Sequence, residues 1–317
     1  MREIGRRIAL ELRNRYSFTR EARMSARKQL QAFRYRDIPV AGKDDAGVRL
    51  ADRIHRGVPS SVGKIGASEL RGLRHFLRLV VSFPKYPTWV RDELLLGPGV
   101  FPTDPKALDA FHATYLTALA QVDMIGIWYQ QDEDVVVRRN CRSDVEPVSV
   151  ALLDPISLDR PWTEELRGKK VLVVSPFAAS VERQYARRRD VWRAKPSILP
   201  DFELKTLRCP LSPALVPPVD RTWFATLDRL AEAVAAIDFD VMLVGAGAYS
   251  LPLCAEAKRL GRIGVHLGGT TQILFGILGG RWNGNELVER YANEAWVRPS
   301  GDEAPTSRHL VEDGCYW

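Results

Sequence analysis

The stretch "DVMLVGAGAYSLPLCAEAKRLGRIGVHLGGTTQILFG", residues 240–276, decides the fold. A short Val/Leu run ends in a glycine turn, a segment with helical spacing follows, and a second short apolar run ends in a second glycine turn. Apolar runs of this length without polar alternation belong to strands buried on both faces, and a helix between two of them makes them parallel. The same order recurs upstream. In "SSVGKIGASELRGLRHFLRLVVSF" a strand ends near Gly66 and a helix opens at Ser68 and Glu69, with Leu70, Leu73, Leu77 and Val80 or Val81 on its apolar face. A helix over 105–120 precedes a strand over 124–128, and "KKVLVVSPFAASVERQYARRRDVW" is another strand–turn–helix with Pro176 at the turn. Six prolines between 193 and 220 surround an extended candidate, "FELKTLRC", which reads as a loop or an edge strand because proline cannot donate to a central ladder. A helix over 223–237 leads back into the opening stretch. The expected fold is α/β, a Rossmann-like doubly wound, mostly parallel sheet with helices on both faces, over residues 45–317.

Residues 1–44 read differently, as a basic helical arm. Positions 1–36 hold eleven Lys/Arg against Glu3, Glu11 and Glu21, so the whole net charge of +7 is concentrated there and the rest is near neutral. "RDIPVAGKDDAGVRL", broken by Pro39, Gly42 and Gly47, reads as the joint between arm and body. A local basic segment argues for a local anionic partner and against a domain wrapped in nucleic acid. Docking on the body, lying on an anionic membrane surface and contacting nucleic acid rank in that order for the arm. The four cysteines show no CxxC or Cys/His spacing, which points to a reducing, cytoplasmic setting and away from zinc. No apolar run approaches the ~18–20 residues that span a bilayer, so membrane contact is expected to be peripheral, on the inner face.

In a doubly wound fold, ligands gather beyond the carboxyl ends of the strands. "KIGASE", "SPFAAS", "GAGAYS" and "HLGGTTQ" all fall there. Gly245, Gly247 and Tyr249 form a G-x-G turn that is a phosphate or nucleotide contact, a structural turn or, last, an NAD(P) site; the strand after it ends in His266 and lacks the acid that would hold a ribose. A helix starting at 250–252 would aim free N–H groups at an anion. Gly268, Gly269, Thr270 and Gln272 offer a second turn able to cap a helix or to bind. His266 is either a base or a buried, hydrogen-bonded ring. Ser175 and Ser180 stand at a strand–helix junction, and Arg183 and Arg187 share a helix face at i, i+4, suited to clamp a diphosphate or simply solvated. Lys64 and Gly66 lead into Glu69, a carboxylate placed to favour a helix N-terminus, act as base or touch a metal. The aromatic ending "EDGCYW" reads as a packed plug, with stacking on a ligand base as the alternative.

Several spaced blocks agree in order with one family: "VGKIGASEL", "VSPFAASVERQYARR", "LPDFELKTLR", the 238–282 segment and "VRPSGDEAP…VEDGCYW". From about residue 60 onward the chain resembles a bacterial surface-polysaccharide family related to glycosyltransferases of the GT-D fold. The resemblance implies an enzyme that moves a sugar from a nucleotide-diphosphate donor to a glycan or lipid-linked acceptor, with Mg or Mn held by a D-x-E motif. Here that motif reads Ala67, Ser68, Glu69: the glutamate is kept and the aspartate position is alanine. Glu69 is then the expected base or metal contact, His266 the second choice, and Asp132 or Asp134 the candidate substitutes for the missing acid. A donor-binding scaffold of the same fold without turnover, and an NAD(P)-dependent enzyme, are the alternatives.

Overall fold

The computed structural model describes residues 33–35 and 38–317. Seven strands form one parallel sheet in the order β5-β4-β3-β9-β8-β6-β7, and a separate two-stranded antiparallel hairpin lies against its β5 edge. The hairpin is β1 (Phe33–Tyr35) and β2 (Ile38–Val40). The sheet strands are β3 (Ser60–Lys64), β4 (Met124–Ile127), β5 (Glu146–Ser149), β6 (Lys170–Ser175), β7 (Glu203–Arg208), β8 (Val241–Val244) and β9 (Ile263–His266). The helices are α1 (Lys43–Arg56), α2 (Ala67–Phe76), α3 (Thr88–Leu96), α4 (Pro105–Leu119), α5 (Glu133–Asn140), α6 (Ala178–Ala186), α7 (Arg188–Val191), α8 (Trp223–Ala236), α9 (Ser250–Arg259), α10 (Thr270–Leu274) and α11 (Glu286–Tyr291).

Alternate residues of each strand enter two separate cores, which is why the strands are apolar without alternation. Ile125, Ile127, Leu172, Val174, Met242 and Val244 pack with Leu70, Leu94, Phe111 and Trp223 on one face. Val62, Met124, Val171, Val173, Val241, Leu243 and Val265 pack with Leu50, Ile54, Val181 and Trp192 on the other. The sheet is therefore doubly wound. Helix α9 lies over β3 and β9 at the middle of the sheet. Gly264 permits this approach, since a Cβ there would stand 2.6 Å from the Cys254 Cα. Local signals set the helix ends: Asp104 accepts from the Lys106 and Ala107 N–H groups, with Pro105 in the first turn of α4, and Thr222 caps α8 through the Ala225 N–H.

Three expectations need correction. The described part of the segment expected as a helical arm is a hairpin, with Ile38 and Val40 buried and Ala41 bridged to Val148 at the sheet edge; residues 1–32, which hold most of the basic charge, lie outside the described residues. The expected joint is largely helix α1, whose buried Gly47 faces Leu158, where a Cβ would come within 3.4 Å. Tertiary contact there outweighs the roughly 1 kcal/mol helix penalty of glycine. The stripe ending at Val80 or Val81 overruns α2, which stops at Phe76; Arg78 takes a left-handed conformation and Val81 is 70% exposed. As expected for "FELKTLRC", β7 is an edge strand. Strand β5, with Pro147 inside it, was not foreseen, and it occupies the opposite edge, where proline is tolerated.

Candidate functional site

Six of the seven parallel strands end at one cleft of about 270 Å³. Lys64 closes β3, Trp128 follows β4, Ser175 closes β6, Pro210 follows β7, Gly245 follows β8 and His266 closes β9, all of them lining it. Gly66, Glu69, Gly247, Tyr249, Gly268, Gly269 and Gln272 line it too. Sequence-predicted residues from four separate turns thus meet in one place. Arg183, Arg187 and Thr270 do not reach it; Thr271 stands there in place of its neighbour.

Glu69 is 5% exposed in the first turn of α2. Its carboxylate folds back over Gly66, where any Cβ would overlap Oε2. Burial pushes its pKa up to about 7, against the pull of its own backbone N–H and of Lys64; Glu93 raises it further and Arg71 opposes. Lys64 lies over the Trp128 ring, Nζ 4.5 Å from the centroid. Burial, then the charge of Arg281, brings the ammonium down to about 8, while Glu69 and Asp154 favour its protonated form. His266 is 5% exposed, and burial with the adjacent Lys64 charge holds it at about 3, a neutral ring near pH 7. That makes it a weak base and leaves Glu69 as the titrating group suited to proton transfer. Among the described residues, four buried polar atoms at the cleft have no hydrogen-bond partner: Trp128 Nε1, His266 Nδ1, Thr271 Oγ1 and Gln272 Oε1. Such atoms are costly to leave unpaired, and several in one cleft mark a place where a polar ligand binds.

No family model matches the chain, and no curated protein is significantly similar to it in sequence. Among solved structures, a protein described as a highly conserved domain of unknown function 1792 with a distinct glycosyltransferase fold aligns over 90% of this chain and 96% of its own, at 13% identity and a TM-score of 0.44. A selenomethionine-substituted structure of domain of unknown function 1792 aligns over 81% and 96%, at 14% identity and a TM-score of 0.38. What the cleft can do chemically is set by its own side chains.

The glycine turn after β8 is mostly occupied with packing. Gly247 has φ 54, and a Cβ on it would stand 2.6 Å from the Pro98 carbonyl oxygen. The N–H groups of Gly245, Ala246 and Ala248 already donate to Val174 O, Ser250 Oγ and Pro98 O. At the start of α9 the Tyr249 N–H donates to Ala246 O and the Ser250 N–H to Gly247 O, and the motif reads as a structural turn that also walls the cleft. A similar correction applies after β6. Ser175 Oγ accepts from the Phe177 N–H. The N-terminus of α6 is filled by the carboxylate of Glu303, which accepts from the Ala179 N–H (2.9 Å), the Ser180 N–H (3.2 Å) and the Ser180 hydroxyl. Arg183 donates to Ser180 Oγ and lies 3.8 Å from Glu303, so it serves this internal anion. Asp132 pairs with Arg74 and Asp134 with Arg138, and neither lines the cleft, so they do not replace the acid missing at Ala67.

A Mg or Mn ion asks for several hard oxygen ligands. Among the described residues Glu69 is the sole side-chain carboxylate lining the cleft, and no group of three His, Cys, Asp or Glu is placed to hold a metal. Lys64 and Arg281 put positive charge in the same space. This donor set does not fit a divalent cation. Sequence reading missed Arg281, which lines the cleft with its guanidinium 4.2 Å from the centroid of Tyr316. No local pattern marks "GGRW"; only the fold brings it to the turn after β9. The aromatic ending packs, the first of the two readings given for it, and it also lines the cleft. Tyr316 and Trp317 line the cleft, and they also pack: the Gln272 amide donates to Tyr316 O and Trp317 Nε1 donates to Glu303 O (2.5 Å).

Proposed function

We propose that the protein is a glycosyltransferase that moves a sugar from a nucleotide-diphosphate donor to a glycan or lipid-linked acceptor in cell-surface polysaccharide assembly. The observation that carries this reading is one buried carboxylate, Glu69, held near neutrality beside cationic Lys64 in a cleft at the strand ends. A base with a pKa close to the working pH is suited to take a proton from an acceptor hydroxyl. In the proposed step that hydroxyl oxygen attacks the anomeric carbon, its proton passes to Glu69, and the bond from the anomeric carbon to the diphosphate oxygen breaks with its electron pair leaving on the diphosphate. Positive side chains at the cleft stabilise that leaving charge. A single displacement of this kind inverts the anomeric centre. Orphaned Thr271 Oγ1 and Gln272 Oε1 are available to hydroxyl or amide groups of the donor. The basic segment over 1–36 would hold the enzyme on an anionic membrane surface where a lipid-linked acceptor resides.

The test is a transfer and donor-hydrolysis assay over common nucleotide-diphosphate sugars. Wild-type protein is expected to turn over one of them, and Glu69→Gln to lose turnover by about 10²-fold or more while still folding. Full activity of Glu69→Gln would overturn the role of Glu69. Ala67 at the acid position favours a second reading, a scaffold that binds donor without consuming it; binding without turnover in the same assay would select it.

A further inference from the structure

We propose that the donor's diphosphate is neutralised by Lys64 and Arg281, in place of a divalent metal. This rests on the donor assigned above and goes beyond it by naming the groups that meet the phosphates. The two cations flank one dipeptide. A Cβ on Gly268 would lie 3.5 Å from Lys64 Nζ, and a Cβ on Gly269 would lie 2.5 Å from Arg281 Nη1. The α-carbons of adjacent residues are about 3.8 Å apart, so both charges stand over the same short piece of backbone. Neither glycine carries a side chain to separate them, and at Gly269 any side chain would displace the guanidinium.

Their surroundings fit an anion. Lys64 is steadied by the face of Trp128 and Arg281 by the face of Tyr316, contacts that orient a cation. The two repel one another, as the lowering of the Lys64 pKa by Arg281 shows. A dianion placed between them would relieve that repulsion, whereas a divalent cation would add to it. Arg281 is able to grip two phosphate oxygens in parallel and Lys64 acts as a point charge, a complementary pair for a diphosphate. Thr271 Oγ1 and Gln272 Oε1, on residues 1% and 3% exposed, stand unpartnered in the next turn of chain. The hydroxyl of Thr271 supplies a further donor. Arg183 and Arg187, the pair that the sequence offered for this task, are outside the cleft.

Binding of inorganic pyrophosphate, UDP, GDP, CDP and dTDP to the full chain is to be measured by calorimetry in EDTA and again with Mn²⁺. Pyrophosphate and one nucleotide are expected to bind in EDTA with a Kd within about twofold of that with Mn²⁺, and Arg281→Ala to weaken both by about tenfold or more, the scale of one lost charge-assisted hydrogen bond. Lys64→Met, which keeps the stem over Trp128, is expected to act in the same direction, so the result does not hang on one variant's folding. Binding of pyrophosphate and nucleotide only when Mn²⁺ is present would overturn the metal-free cradle and leave the donor reading standing. Pyrophosphate bound in EDTA with no nucleotide bound would do the reverse. Unchanged affinity in both folded variants would overturn the assignment to these residues, and no binding of any probe would overturn cradle and donor together.

Discussion

Glu69 and Lys64 line one cleft with pKa values of about 7 and about 8, moved towards one another from the ordinary carboxylate and ammonium ranges chiefly by burial. As the proposed base Glu69 would work only when deprotonated, so activity is expected to fall as pH drops through about 7. In the proposed cradle Lys64 would attract a diphosphate only when protonated, so activity is expected to fall again as pH rises through about 8. The charged groups acting on them are Arg71 and Glu93 on Glu69, and Arg281 and Asp154 on Lys64, and none of these reverses either sign. The expected profile of kcat/KM, which reports the free enzyme, is a narrow bell between those limits. Lys64→Arg keeps the charge at every accessible pH and is expected to remove the alkaline limb while leaving the acid limb in place. The kcat profile of the wild type is expected to extend further into alkali, because bound diphosphate stabilises the ammonium. An alkaline limb unchanged in Lys64→Arg would assign that limb to another group.

Single elements are held by residues that no local motif announces. Glu303 is 1% exposed, and its carboxylate closes the N-terminus of α6 from 123 residues away in sequence. Glu303→Ala would leave the Ala179 and Ser180 N–H groups and the Ser180 hydroxyl buried without an acceptor. The expected cost is about 2–4 kcal/mol, read as a fall in Tm, with Glu303→Gln losing less because its amide oxygen still accepts. Gly247→Ala is expected to destabilise by about 1–3 kcal/mol through its positive φ and the Pro98 oxygen. These two positions also show what the sequence could and could not tell. The strand–turn–helix units around Gly66, Pro176 and Gly245 were readable because short apolar runs and glycine turns are local. The order of the strands, the hairpin at 33–40 and the helix through Gly47 were not, since each depends on distant partners such as Leu158 and Val148. At the site, Lys64, Glu69 and His266 were legible as residues at strand ends, whereas Arg281 and Glu303 reach their places through long-range packing alone. The assignment of Arg183 to a ligand failed for the same reason: its sequence context gave no hint that an internal carboxylate waits beside it.

At the scale of the molecule, the basic charge and the cleft belong to different parts of the sequence. The cleft sits at the carboxyl edge of the central sheet, and the basic charge is concentrated over residues 1–36. No helix among the described residues is long and apolar enough to cross a membrane, and the attachment proposed here works through charge. Each Lys or Arg near an anionic surface contributes about 1 kcal/mol, and that attraction is confined to a Debye length of about 8 Å at physiological salt. Eleven such residues against three glutamates are enough for reversible binding if even half of them reach the surface together. The full chain is therefore expected to co-sediment with phosphatidylserine-containing vesicles at low salt and to be released near 1 M salt, where the Debye length falls to about 3 Å. Replacing Arg2, Arg6, Arg7, Arg13 and Arg15 with Glu, which reverses the charge of the segment, is expected to abolish sedimentation. Vesicle binding that survives those substitutions would move the contact to the folded body. Val81, Phe83 and Trp89 are 70%, 74% and 52% exposed around the start of α3 and would be the next surface to test.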